Sequence, residues 1–102
     1  MPVLRISLAR FDAAIADEVR QALGESRETL EPAVRALPGN LAYHAGHDPR
    51  TGTMSNVSLW ETLEDAERMA GMREMAELGE RFAAMGVRFE RPITNHDVLW
   101  SL

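Results

Sequence analysis

Asn56, Ser58 and Trp60 occupy alternate positions of one largely apolar segment, and His44 lies on the segment before it. Residues two apart on an extended strand share a face, so a carboxamide, a hydroxyl and an indole N–H line up. If the two segments pair with Tyr43 opposite Val57 or Leu59, His44 joins that face. Such a set would give a polar lining to an apolar pocket. His44 would be a candidate base, imidazole being the side chain suited to that role, with Asn56 and Trp60 as donors to a developing anion. The same residues also read as a buried face whose polar groups satisfy one another or meet a partner subunit. Arg5 could pair with a ligand carboxylate or phenolate, or bridge an acidic side chain at a subunit edge. Met54, Met69, Met72, Met75 and Met85, with Phe82, could line an adaptable pocket for a flat aromatic ligand, or simply fill the core.

Other chemistries are excluded by what is missing. The chain has no cysteine, so thiol nucleophiles, disulfides and thiolate metal sites are out. All 11 basic residues are arginine, which removes Schiff-base and phosphate-loop lysines. No two glycines stand close enough for a G-x-G loop. His44 and His47 are three apart on a strand and face opposite ways, so they cannot share a metal, and none is expected. His47-Asp48 and His96-Asp97 read as solvated turn residues. A net charge of -5 argues against nucleic acid or an anionic membrane as partner. No stretch approaches the ~20 apolar residues that span a bilayer, and no segment resembles a targeting signal, so a cytoplasmic location is expected.

The elements that must position these residues follow from the hydropathy pattern. At 102 residues the chain has room for one domain, 1–102. Leu4, Ile6 and Leu8 alternate with Arg5, Ser7 and Ala9, predicting a strand over Val3 to Arg10. Asp12 is a candidate N-cap for one long first helix, interrupted near Gly24 and Pro32 and stopped by Pro38-Gly39. Asn40 to His47 and Thr53 to Glu61 form a hairpin around Asp48-Pro49-Arg50-Thr51-Gly52. Thr62, with Asp65 three residues on, opens a second helix that Gly86 closes. Its early stripe, Ala66, Met69 and Ala70, is out of phase with Leu78, Phe82 and Met85, which predicts a break near Gly71. The tail, Val87 to Leu102, reads as two short strand pieces. The order β-α-β-β-α-β is ferredoxin-like: a four-stranded antiparallel sheet with helices on one face. Both sheet faces carry apolar residues, so the uncovered one wants a partner, and a homodimer through that face supplies it.

With this order, the strand Asn56-Val57-Ser58-Leu59-Trp60-Glu61-Thr62 running into a broken helix, and a closing strand around Val98-Leu99-Trp100, the chain resembles the dimeric α/β-barrel superfamily. Within it the likeness is to the antibiotic biosynthesis monooxygenase-like domains. The resemblance covers nearly the whole sequence. It implies sheet-to-sheet dimers with a ligand cleft between each sheet and its own helices. Asn56 and Trp60 match, in type and spacing, the Asn and Trp used by cofactor-free oxygenases of aromatic substrates. The tyrosine that branch places on the following helix has no counterpart between Thr62 and Met85. The haem-degrading branch is disfavoured: strand Leu4 to Leu8 has no Asn, and Thr62 to Met85 has neither Trp nor His. Two functions stay in view. One is a cofactor-independent oxygenase of an electron-rich phenol, anthrone or hydroquinone, with His44, Asn56 and Trp60 catalytic and Arg5, Ser58, Met69, Met72 and Phe82 holding the substrate. The other is a non-catalytic dimeric domain that binds a small hydrophobic or aromatic molecule.

Overall fold

A computed structural model describes Met1–Leu102. The elements are β1 (Val3–Arg10), α1 (Ala16–Glu25), α2 (Arg27–Arg35), β2 (Asn40–Asp48), β3 (Thr53–Trp60), α3 (Leu63–Glu67), α4 (Arg73–Met85), β4 (Arg88–Phe89) and β5 (Thr94–Asp97). Short 3₁₀ turns at Ala13–Ile15 and Arg68–Gly71 lead into α1 and α4. The sheet is antiparallel in the order β2-β3-β1-β4, and β5 shares the β4 edge of β1. The ferredoxin-like arrangement therefore holds, with its fourth strand position split between two pieces. β4 pairs with Ala9 and Arg10, while β5 pairs with Val3 to Ile6. Pro92 lies in the gap, where it has no N–H to give to the ladder.

Local signals and long-range pairing disagree at several points. The first helix runs through Gly24 and Pro32 and breaks instead at Ser26. There the buried hydroxyl donates to the Leu23 carbonyl at 2.6 Å, a bond to the preceding turn that bends helices. Asp12 does not cap with its side chain; only its carbonyl serves, accepting from Ile15 N at 3.0 Å. The second helix behaves as its pattern requires. Thr62 Oγ1 accepts from Asp65 N at 3.1 Å, and Gly86 ends α4 at φ 103°. Between them Met72 is extended, at φ -73° and ψ 120°, so that Met69 and Met72 both turn inward. The closing strand is Thr94–Asp97, not Val98–Trp100. Val98 N makes the last rung to the Pro2 carbonyl at 2.9 Å, and Pro2 has no N–H to return. Leu99 and Trp100 consequently project from the sheet, 82% and 76% exposed.

Strand register decides which residues meet. Val3, Arg5, Ser7 and Ala9 of β1 stand opposite Trp60, Ser58, Asn56 and Met54 of β3, all on the helix-covered face. Two apolar clusters form there. One gathers Ala9, Phe11, Val19, Leu23, Met54 and Phe82 under α1 and α4. The other gathers Val3, Val34, Trp60, Ala66, Met69 and Met72 under α2 and α3. Arg5, Ser7, Asn56 and Ser58 lie between the two, where the covering helix is broken. The opposite face carries Leu4, Ile6, Leu8, Val57 and Leu59, which no helix covers.

Candidate functional site

The gap between the two clusters is a cavity of about 490 Å³, within the usual size of small-molecule sites. β1 contributes Arg5 and Ser7, and β3 contributes Met54, Asn56 and Ser58. Met69 and Met72 come from the helix break, Met75, Leu78 and Phe82 from α4, and Phe89, Arg91 and Ile93 from the tail. Six of the eight residues singled out in the sequence line this space directly, namely Arg5, Asn56, Ser58, Met69, Met72 and Phe82, while Trp60 and His44 do not.

Trp60 is completely buried behind the wall. Its Nε1 donates to Ser58 Oγ at 2.8 Å, and Ser58 Oγ in turn points to Met69 Sδ at 3.7 Å. The indole N–H is thus consumed inside the protein, correcting the expectation that it faces the cleft. His44 is displaced further. The hairpin sets Tyr43 opposite Ser58 and His44 opposite Val57, so His44 lies on the face away from Asn56, exposed. The reason is parity: four residues separate Asp48 from Thr53, and a one-residue difference in pairing reverses every side chain. His47 also departs from its solvated reading. It stacks on Phe11 with ring centroids 5.1 Å apart, and its Nε2 sits 3.0 Å from the Ala16 carbonyl, which requires that nitrogen to be the donor. His96 lies in β5 opposite Leu4, exposed.

Two polar groups on the covered face have no partner. Asn56 Oδ1 is shielded and accepts no hydrogen bond, and the Tyr43 hydroxyl is likewise alone. Burial pushes the Tyr43 phenol up to about 12, so it stays neutral. It packs against the Trp60 cluster, outside the cavity. Arg5 is only 9% exposed, and no ion pair engages it or Arg91. Desolvation and then the charge of Arg91 lower the Arg5 pKa, with Glu67 opposing. Arg91 lies over the Phe89 ring at 5.1 Å and donates from Nη1 to the Glu90 carbonyl at 3.0 Å. Sequence reasoning missed Arg91, Phe89 and Ile93; nothing local in the tail signals that it folds back over the cavity. No three His, Asp or Glu side chains converge so as to hold a metal ion, and no helix is long and apolar enough to cross a membrane.

No protein-family model matches the sequence, and no curated protein is detectably similar to it. Solved structures are similar along their whole length. A candidate antibiotic biosynthesis monooxygenase from Deinococcus radiodurans aligns at a TM-score of 0.74 and 18% identity, over 98% of this chain and 95% of that one. Rv0793 from Mycobacterium tuberculosis aligns at 0.69 and 14%, over 99% and 98%. SnoaB, a cofactor-independent oxygenase from Streptomyces nogalater, aligns at 0.66 and 9%, over 99% and 96%. The chain has the antibiotic biosynthesis monooxygenase-like fold. In this instance of the fold, the space between sheet and α4 is the cavity just described, and its wall combines methionine and phenylalanine with Asn56 and two arginines.

Proposed function

We propose that the protein is a cofactor-independent monooxygenase that oxidises an electron-rich phenol, anthrone or hydroquinone between its sheet and α4. The observation that carries this reading is Asn56. Its shielded carboxamide oxygen lacks a partner, on the wall of a Met- and Phe-lined cavity, in a fold shared with a cofactor-independent oxygenase. An acceptor left in that state costs about 1–3 kcal/mol until a donor meets it, which favours a bound hydroxyl. Rotating the carboxamide about its terminal bond offers Nδ2–H to the same oxygen once its proton has left.

The chemistry asks little more of the side chains. A deprotonated substrate of this class passes one electron to O₂, and the resulting radical and superoxide combine at carbon. The hydroperoxide then loses water, so that a CH₂ and O₂ become C=O and H₂O; at a phenol ring carbon the C–H and the phenol O–H supply the two hydrogens of the water, and the ring becomes a quinone. Positive charge from Arg5 and Arg91 favours the anion, and the apolar wall keeps water from it. Glu80, the carboxylate of the wall, is the acceptor available for the substrate proton. His44 has no part in this, being on the other side of the sheet. Oxygen uptake with a panel of anthrones and hydroquinones tests the reading. Uptake that depends on folded protein and collapses in Asn56→Ala supports it.

A second reading, a binding domain without catalysis, is favoured by two observations: the Trp60 N–H is spent on Ser58, and the wall contains neither tyrosine nor histidine. Measurable binding with uniform inactivity across the panel would select it. On either reading a second copy covers the outer sheet face. The support is Leu4, Ile6, Val57 and Leu59 with Leu8, an apolar patch left open by all helices. Light scattering showing a monomer at micromolar concentration would reject this.

A further inference from the structure

The charge inside the cavity is not what the net charge of -5 suggests. Arg5 and Arg91 both line it, near enough that each opposes the other's charge. A guanidinium does not escape this by losing its proton, being charged throughout the range in which proteins fold, although burial and Arg91 lower the pKa of Arg5. Two carboxylates lie in the surroundings, Glu67 and Glu80. Neither comes within ion-pair distance of either arginine, although exposed arginines elsewhere find acidic partners readily, as in Arg27–Glu31 and Arg81–Glu25. A second copy on the outer face cannot supply the missing anion, because Arg5 is on the helix-covered side. Burying an unpaired charge beside a like charge is unfavourable, and the arrangement makes physical sense when a ligand anion completes it.

We propose that the cavity binds an aromatic carboxylate, its carboxyl group seated on the Arg5 guanidinium with Arg91 as the second cation. This rests on the cavity being the ligand site of the proposed function, and it adds a fixed acidic substituent to the molecule bound. The planar fork of Arg5 matches a carboxylate through two parallel N–H···O bonds. Arg91 is held for the same anion from the rim, by the Phe89 ring on one side and the Glu90 carbonyl on another. Met54, Met72, Met75 and Phe82 face the remaining space and take the ring system. Asn56 meets a hydroxyl or carbonyl on that ring.

The test is calorimetric binding of naphthoate and anthracenecarboxylate, each against its own primary amide, which has nearly the same shape but no charge. Wild-type protein should bind each acid about tenfold or more tightly than its amide, the size expected for a charge-assisted pair. Arg5→Met should remove the preference, and Arg5→Lys should restore part of it. Arg91→Gln, at an exposed position, should reduce it and keeps the test decisive if Arg5→Met does not fold. Equal affinity for acid and amide, no binding of either, or a preference that survives both Arg5→Met and Arg91→Gln would each overturn the assignment. So would a naphthol that tightens as it ionises while acid and amide bind alike, which would leave the arginines serving the reacting phenolate alone, with no carboxylate seat. A clear preference for the acids without any oxygen uptake would uphold this inference and reject the oxygenase. Uptake with neutral hydroquinones and no preference for acids would do the reverse.

Discussion

Replacing Ser58 with alanine separates a structural role of Trp60 from a ligand-facing one. The Ser58 hydroxyl is buried and accepts from Trp60 Nε1 at 2.8 Å, and the indole is wholly inaccessible. Removing the acceptor leaves a buried N–H without its partner, a loss of about 1–3 kcal/mol. The weaker contact to Met69 Sδ at 3.7 Å adds little, and the space vacated is a single hydroxyl. For a domain of this length each kcal/mol lowers the melting temperature by roughly 4–8 °C, so Ser58→Ala should melt roughly 4–24 °C below wild type. Fluorescence reads the same event more directly. Trp100 is 76% exposed and Trp60 fully buried, so Trp100→Phe leaves one blue-shifted emitter. Adding Ser58→Ala to that background should keep Trp60 buried while changing its emission, and ligand affinity should stay within about twofold of wild type, since no hydrogen bond to ligand is lost. A melting temperature unchanged by Ser58→Ala, together with a large loss of ligand affinity, would refute the reasoning and return the indole to the cavity.

Asn56→Ala should behave in the opposite way. It deletes an acceptor that has no partner, so the melting temperature should hold or rise while ligand affinity or turnover falls. Tyr43 is the sole tyrosine, so an absorbance titration reads it alone. Its pKa is raised, so the neutral phenol is favoured in the fold over the whole range below its ordinary 10.0, and this advantage is lost as pH climbs toward about 12. The folded protein should therefore show no phenolate near pH 10, and a midpoint near 10 with native circular dichroism would contradict its burial. Two glycine changes should have opposite signs. Gly24→Ala, inside α1 with open space around it, should stabilise by about 0.5–1 kcal/mol. Gly52→Ala should prevent normal folding, because Gly52 has φ +70° and a Cβ there would collide with the Phe11 carbonyl; equal thermal denaturation of the two variants would argue against both.

What the amino-acid sequence determined by itself was local. The alternation of Leu4, Ile6 and Leu8 marked β1 to its ends, and Thr62, the break near Gly71 and Gly86 marked the second helical stretch. These features depend on backbone preferences and on contacts within one turn or one pleat, which neighbouring residues supply. Part of the cavity was legible for the same reason: Asn56 and Ser58, two apart on β3, share a face, and the out-of-phase stripes of Met69 and Phe82 marked a helix broken between them. Tertiary structure decided the rest. Whether His44 faced Asn56 turned on the parity of the hairpin loop, and a single residue in that count carried it to the other face. Asn95-His96-Asp97 has turn chemistry, yet β1 offers it a ladder and it becomes β5. Trp60 was visible as a donor, but only packing showed that Ser58, two residues away, takes its N–H. The approach of Arg91 to Arg5 spans most of the chain and has no local trace, since it follows from the tail folding back beside β1. Pairwise burial of distant groups is a property of the assembled sheet, so the electrostatics of the cavity could be read only after β1, β3 and the tail were in place.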